Sequence, residues 1–260
     1  MFVDSHAHLD CTAFDADRDT MLARAQRQGV SQIVVPATDL ASWPGIRRLC
    51  AGQAGVFPAY GSHPLFLHDN APVDVDALSS WLVAGDAVAV GEIGLDYHTA
   101  TCGKATQMAW FEAQLHVARE LDLPVVVHAL RAVEEVSLAL RALKGLRGVV
   151  HSFSGSQQQA ERLWNMGFHL GIGGPVTYPR ARRLRQIVAH MPADFLLLES
   201  DAPDQPDVDH RGQRNEPARV AGIAQCIADL RGEPLDQLAA ATTANARRLF
   251  GLPIAGPAAQ

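Results

Sequence analysis

Histidines and carboxylates of the kind that bind metal ions recur in this sequence directly after short apolar segments. His6 and His8 follow the apolar pair Phe2 and Val3. In an extended chain alternate side chains point to the same side, so these two imidazoles can chelate a single ion. A His-x-His pair also arises by chance in a solvated loop, and the pair alone does not distinguish the two cases. Residues of the same types end five later apolar segments: His63, Glu92, His128, His151 and Asp201.

Eight apolar segments are predicted to be strands, because helical patterns separate them. The strands are expected at 2–3, 32–38, 56–61, 87–96, 124–128, 148–151, 169–173 and 195–201. The helices are expected at Asp15–Gly29, Leu40–Ala51, Asp74–Val83, Thr106–Leu121, Ala132–Leu143, Gln157–Met166, Ala181–Ala189, Pro217–Leu230 (capped by Asn215) and Leu235–Phe250 (open to a break near Asn245). This α/β alternation predicts a (β/α)8 TIM barrel, with residues 1–260 as a single domain. No glycine-rich phosphate loop follows the first strand, which argues against a dinucleotide-binding fold.

In such a barrel the carboxyl ends of the strands meet on one face, so the distant histidines and carboxylates would share one cleft. Three or four protein ligands serve one catalytic ion. Four histidines with two carboxylates therefore suit two divalent ions with one carboxylate between them. An imidazole-rich set favours Zn²⁺, Mn²⁺, Ni²⁺ or Fe²⁺ over Mg²⁺, which prefers oxygen ligands.

The bulk composition is that of a globular protein with a sizeable core: 260 residues, 48% hydrophobic and 19% charged. No apolar run approaches the ~20 residues of a membrane span, and no signal-type segment opens the chain, so we expect a cytoplasmic monomer. The four cysteines are scattered, which argues against a zinc ribbon or a disulfide framework. A net charge of −6 argues against a broad nucleic-acid-coating surface but is compatible with a local basic patch.

Several blocks of this sequence, spread over the whole chain, resemble the TatD family of metal-dependent deoxyribonucleases. They are Asp4–Asp10, Gly61–Pro64, Gly91–Tyr97, Leu123–His128, Gly148–Gly155, Leu198–Pro203 and Asn215–Pro217. The resemblance implies an amidohydrolase-type barrel. It also implies that one ion is held by His6, His8, Glu92 and Asp201, and the other by Glu92, His128 and His151.

The sequence departs from the family pattern after the fifth strand. The usual Ser-Arg pair is replaced by Ala129-Leu130, with Arg131 one place later, so Arg131 becomes the candidate substrate contact there. The usual threonine before the last aspartate is Ser200, and the loop Asp204–Asp207 also differs from the commoner form.

Substrate contacts are less defined than metal ligands. His63 is either a turn residue before Pro64 or a phosphate contact. Arg211 and Arg214, after the last aspartate, are candidates to bind a phosphate backbone. The arginines between 180 and 185 are either a solvated helix face or a contribution to the same contact.

The expected reaction is hydrolysis of a phosphodiester at a DNA end. Two ions would lower the pKa of the attacking water. Glu92 would lie between them, and Asp201 would accept the proton. Because a fold does not determine its substrate, a hydrolase of small-molecule esters or amides is the alternative. A non-catalytic metal-binding protein is disfavoured by the intact ligand set.

Overall fold

The computed structural model describes residues 1–69 and 75–254, in which strands and helices alternate. The strands are β1 (Phe2–Asp4), β2 (Val30–Pro36), β3 (Val56–Tyr60), β4 (Ala89–Asp96), β5 (Val125–Leu130), β6 (Gly148–Val150), β7 (His169–Ile172) and β8 (Leu196–Leu198). The helices are α1 (Arg18–Arg27), α2 (Trp43–Gly52), α3 (Val75–Leu82), α4 (Lys104–Glu120), α5 (Val133–Ala142), α6 (Gln157–Asn165), α7 (Arg182–His190), α8 (Val220–Arg231) and α9 (Leu235–Phe250).

The eight strands form one parallel sheet in sequence order, β1 to β8. The sheet closes on itself where the Ser5 amide donates to the Leu198 carbonyl at 2.9 Å. Just beyond, Ala7 and Ala202 form an isolated parallel bridge. The predicted (β/α)8 TIM barrel is therefore confirmed.

The barrel interior is filled by small apolar side chains from successive strands, among them Val34, Val126 and Val149. Leu249 and Phe250, at the end of α9, pack onto this cluster. Strands buried on both faces need no polar alternation, which explains their continuous apolar sequences. The core therefore occupies the barrel and the layer beneath the helices, and the polar strand ends lie at its mouth.

Two boundaries near the last strand differ from the sequence prediction. β8 ends at Leu198, where its pairing with β7 ends, and so does not reach Asp201, which has a left-handed φ of 57°. α8 begins at Val220, since Pro217–Arg219 form a separate 3-10 turn.

Two asparagines have different roles from those predicted. Asn215 does not cap α8, and its amide instead donates to the carbonyls of Ser200 and Asp204, both at 2.7 Å. α9 is continuous through Asn245, whose amide donates to the Ala193 carbonyl at 2.7 Å and ties the helix to the base of β8. The predicted start of the third helix at Asp74 lies outside the described residues. Among the described residues, no helix has the length and apolar character needed to cross a bilayer.

Candidate metal centre

The six predicted metal ligands converge at the carboxyl-terminal mouth of the barrel. His6, Glu92, His151 and Asp201 are buried, whereas His8 and His128 are half-buried. With the exception of His6, these residues line a cleft of about 370 Å³, which His63 also lines.

Glu92 lies between two groups of imidazoles. Its Oε2 faces the ring nitrogens Nε2 of His6 at 3.3 Å and of His8 at 3.4 Å. Its Oε1 faces His128 Nδ1 at 3.0 Å and His151 Nε2 at 2.7 Å. The two oxygens of one carboxylate thus face two separate donor sets, an arrangement that lets a carboxylate bridge two ions.

The first donor set has the dimensions of a tetrahedral zinc-type site. Ligand bonds of ~2.1 Å place tetrahedral donor atoms about 3.4 Å apart. His6 Nε2 and His8 Nε2 are 3.2 Å apart, and Asp201 Oδ1 lies 3.5 Å and 3.9 Å from them respectively. Together with the distances to Glu92, these five donor separations lie between 3.2 and 3.9 Å, around the tetrahedral value. The residues therefore fit a metal ion on geometry alone.

The second donor set is more compact. His128 Nδ1 and His151 Nε2 are 3.1 Å apart, and both are within 3.0 Å of Glu92 Oε1. These are hydrogen-bond distances, so an ion at this position would push the atoms apart by a few tenths of an ångström. The donor types nevertheless suit the same borderline transition metals.

His63 also faces Glu92 Oε1, with its Nε2 at 3.2 Å, but its other nitrogen determines what it can do. The Leu65 amide donates to His63 Nδ1 at 3.1 Å, so Nδ1 carries no proton. Nε2 then carries the proton in the neutral ring and acts as a donor. A donating Nε2–H cannot bind a metal, which favours a hydrogen bond to Glu92 or to a substrate oxygen.

The electrostatics of the centre are dominated by Glu92. Burial opposes its ionisation, but His151, His63 and His6 together with the His128 hydrogen bond hold its pKa well below the usual range. Burial also opposes protonation of His151 and His8, yet Glu92 raises their pKa values to about 10 and about 9. Burial and the neighbouring His151 lower the pKa of His6 to about 4. Divalent ions would take the place of the imidazole protons, so metal binding would release protons.

A buried carboxylate joins the two strand ends that carry His6 and Asp201. Asp4 accepts hydrogen bonds from the Ser200 hydroxyl at 2.6 Å, the Ser200 amide at 3.0 Å and the His6 amide at 3.2 Å. Burial raises the pKa of Asp4 to about 7, against the lowering effect of these bonds. The bond from the side chain needs only a hydroxyl, so Ser200 makes it without the methyl group of a threonine.

Two further carboxylates stand behind the histidines. Asp96 Oδ2 lies 3.5 Å from His128 Nε2, the ring nitrogen that faces away from Glu92. Glu199 Oε1 accepts the Ser152 amide at 2.5 Å and lies 3.9 Å from His151 Nδ1. Carboxylates in these positions orient metal-binding imidazoles and raise their basicity.

Left-handed backbone conformations concentrate at the mouth of the barrel. Four non-glycine residues there have positive φ: Arg131 (53°), Ser152 (44°), Asp201 (57°) and Gln205 (50°). Such conformations cost of order 1–3 kcal/mol each and persist where the surroundings impose them. Here they lie in the loops after β5, β6 and β8, and two of these loops carry the ligand-type residues His151 and Asp201.

Three arginines were predicted to bind substrate: Arg131, Arg211 and Arg214. None of them is among the described residues that line this cleft. Arg131 and Arg211 are exposed. Arg214 donates to both Asp17 oxygens, at 2.6 Å and 2.8 Å, and so is held against the start of α1.

Sequence reasoning overlooked the residues that do form the rim. Leu65 and Phe66 are exposed apolar side chains on the cleft wall, 39% and 47% accessible. Their position two and three residues after the ligand-type His63 was the available signal. Asp10 and Asp204 also line the cleft, and burial raises the pKa of both carboxyls.

Comparison with known proteins agrees with this geometry. The sequence profile of the family described as TatD related DNase matches residues 3–251. The chain belongs to the TatD family. A relative from Escherichia coli K12, the uncharacterized metal-dependent hydrolase YjjV, is 38% identical over 255 residues, which cover 97% of this chain and 98% of that protein. The crystal structure of YjjV, described as a TatD homolog, superposes with a TM-score of 0.90 at 37% identity, covering 97% and 98% of the two chains.

Another TatD-family relative has a more specific name. The 3'-5' ssDNA/RNA exonuclease TatD of Klebsiella pneumoniae is 33% identical over 263 residues, covering 97% of this chain and 99% of that protein. Family membership confirms the expected class: the protein is a metal-dependent hydrolase built on a TIM barrel.

Proposed function

We propose that this protein is a two-ion phosphodiesterase that removes nucleotides from the end of a DNA strand. The observation that carries the proposal is the position of Glu92, whose two oxygens face two separate sets of donors. Paired ions bridged in this way stabilise both the attacking and the leaving oxygen in phosphoester hydrolysis. The name of the Klebsiella relative supports a nucleic-acid substrate.

His6, His8, Glu92 and Asp201 would hold one ion, and Glu92, His128 and His151 the other. We favour Zn²⁺, Mn²⁺ or Ni²⁺ because most donors are imidazoles. When bound, the ions would lower the pKa of a water molecule and neutralise charge on the phosphate oxygens.

The protein's own groups would move the proton and position the phosphate. Asp201 Oδ1 points into the donor set, so it is placed to accept the proton of the attacking water. His63 Nε2–H is placed to donate to a non-bridging phosphate oxygen. The exposed Phe66 ring on the cleft wall offers a face on which a base can stack. Hydrolysis consumes one water, breaks one P–O bond and leaves the phosphate on one product and a hydroxyl on the other.

Metal stoichiometry and turnover together test the proposal. The wild type should bind about two ions per chain, and Glu92→Gln should reduce this to one or fewer. Glu134→Gln, which changes an exposed carboxylate paired with Arg162, is the matched control and should bind as the wild type does. At saturating metal, Asp201→Asn should turn over at least ~10²-fold slower on a 3'-labelled oligonucleotide. One ion per chain in both wild type and Glu92→Gln would refute the bridged pair.

One observation favours hydrolysis of a small uncharged ester or amide instead. Two carboxylates, Asp10 and Asp204, line the cleft where a polyanion would enter. A panel of small esters, lactones and amides assayed beside single-stranded DNA separates the two functions. Turnover of a panel member with no nucleotide release from DNA would establish the alternative.

A further inference from the structure

A second cavity opens beside the metal centre, at the same mouth of the barrel. It measures about 310 Å³ and lies between the loops after β6 and β7 and the first turn of α7. We call it the α7 pocket; its lining includes Ser152–Gly155, Gly171–Gly173 and Arg180–Leu184. Ser152 directly follows His151, so the pocket begins one residue, ~3.8 Å along the chain, from a metal-centre histidine.

Three cationic side chains line the α7 pocket: Arg180, Arg182 and Arg183. All three are exposed, and none of them has a carboxylate within ion-pair distance among the described residues. Arg183 donates to the Ser154 carbonyl at 2.9 Å, which holds its guanidinium across the pocket. Three uncompensated positive charges thus lie together on a chain whose net charge is −6.

The neighbouring arginine on α7 behaves differently. Arg185 donates to the Val176 carbonyl at 2.9 Å and lies 3.5 Å from Cys226 Sγ on α8. It does not line the pocket. The predicted run of arginines therefore divides into three that face a cavity and one that supports packing between helices.

The start of α7 adds to the positive potential. Its N-cap is Ala181, which makes no side-chain capping bond, and its first turn contains no acidic residue. The first amides of a helix lack intrahelical acceptors and carry the positive end of the helix dipole. Arginines at positions 182 and 183 have the wrong charge for this end of a helix, so an anion in the pocket would relieve the repulsion.

The metal centre itself supplies little attraction for a polyanion. Four carboxylates line its cleft: Asp10, Glu92, Asp201 and Asp204. Two divalent ions would bring four positive charges and so only balance them. Affinity for a strand longer than the scissile unit must come from outside this cleft.

We infer that the α7 pocket binds the backbone phosphates of a single nucleic-acid strand next to the bond being cleaved. The inference rests on the proposed phosphodiesterase function and adds a site for the rest of the strand. Arginines recognise phosphate bidentately, and exposed amides at a helix start add donors. The Arg180 guanidinium, 5.4 Å from the centre of the Tyr178 ring, would extend this contact along the strand.

The test compares the triple variant Arg180→Ala/Arg182→Ala/Arg183→Ala with a charge-matched control. The control, Arg27→Ala/Arg48→Ala/Arg141→Ala, removes three exposed arginines on α1, α2 and α5. Binding of 5'-labelled (dT)8 is measured by anisotropy at 50–200 mM salt, and turnover is measured on (dT)8 and on bis(p-nitrophenyl) phosphate. Circular dichroism confirms that both variants fold.

The logarithm of the binding constant falls linearly with the logarithm of the salt concentration, and we call the steepness of this line the salt slope. If the three arginines neutralise two phosphates of a single strand, the salt slope should be smaller by about 1.4 in the triple variant. The wild type should then lose about sevenfold more affinity than this variant between 50 and 200 mM salt. An octamer with neutral methylphosphonate linkages should bind wild type and triple variant alike. The KM for (dT)8 should rise at least tenfold more than the KM for the small diester, and the control should follow the wild type.

Equal salt slopes for wild type and triple variant would overturn the inference that the α7 pocket binds backbone phosphates, whatever substrate the enzyme cleaves. Equal weakening by the control triple would also overturn it, because the effect would then be one of general charge. Failure of the proposed function has a separate signature: the wild type would hydrolyse neither phosphodiester. Strand binding that depends on the three arginines would in that case still support the pocket.

Discussion

Gln205 holds the carboxylate of Asp201 in one orientation, and its replacement is the most informative single change near the metal centre. Its Nε2 donates to Asp201 Oδ2 at 2.5 Å and lies 2.7 Å from the Ser152 hydroxyl. Asp201 Oδ1, the other oxygen, faces His6 Nε2 at 3.5 Å. The two carboxylate oxygens therefore have different tasks, one held by the amide and one directed at the donor set.

Gln205→Met keeps the length of the side chain and removes the amide. Glutamine and methionine both have unbranched side chains, so the left-handed φ of 50° at this position strains the backbone equally with either residue. A hydrogen bond to a charged group contributes ~1.5–3 kcal/mol. At 1.36 kcal/mol per decade this corresponds to a loss of roughly 10–150-fold, divided between metal affinity and kcat. The KM for a small phosphodiester should change little, because Gln205 does not line the described cleft.

Calorimetric titration with metal and steady-state kinetics at saturating metal separate the two parts of this loss. Gln225→Met is the matched control, since Gln225 on α8 donates to the Asp229 carboxylate at 2.8 Å on the exposed surface. That change should leave both constants as in the wild type. An increase in kcat for Gln205→Met would refute the reasoning. It would mean that the amide restrains Oδ2 as a proton acceptor and does not merely orient Asp201.

Three further outcomes follow from the structure. Burial lowers the pKa of His169 from 6.5 to about 4. Between pH 4 and pH 6.5 the unfolded chain therefore binds a proton at His169 that the folded protein does not. Stability should therefore fall by up to ~3 kcal/mol as the pH drops from 6.5 to 4, and urea unfolding of His169→Leu should show a flatter profile. Gly171→Ala would place a Cβ 2.0 Å from Glu199 Oε2, so the Tm and the metal affinity of this variant should fall. Gly222→Ala is the control: a Cβ at this helical position meets open space, so the change should stabilise the protein by about 0.5–1 kcal/mol. Arg214→Ala should lower the Tm and leave the KM for an oligonucleotide near the wild-type value, and a KM increase at unchanged Tm would restore Arg214 as a substrate contact.

The sequence alone was sufficient to predict the barrel and the ligand-type residues at its mouth, although not the Leu65 and Phe66 side chains of the cleft wall. Apolar segments without polar alternation indicated buried parallel strands, and the parallel arrangement places every strand end on one face. For this reason His6, Glu92 and Asp201, far apart in the chain, were expected in one cleft, and the structure brings them together there. Residue type and strand position are local properties, so they can be read from a sequence.

Only the tertiary structure decided how these residues are paired. That Glu92 directs one oxygen to each donor set depends on the side-chain conformation at the end of β4. That His63 is a donor depends on an amide two residues away, and that Arg214 is held by Asp17 depends on how the last loop lies against α1. Hydrogen bonds and ion pairs depend on distances of a few tenths of an ångström between elements distant in sequence, and neither composition nor periodicity encodes such distances.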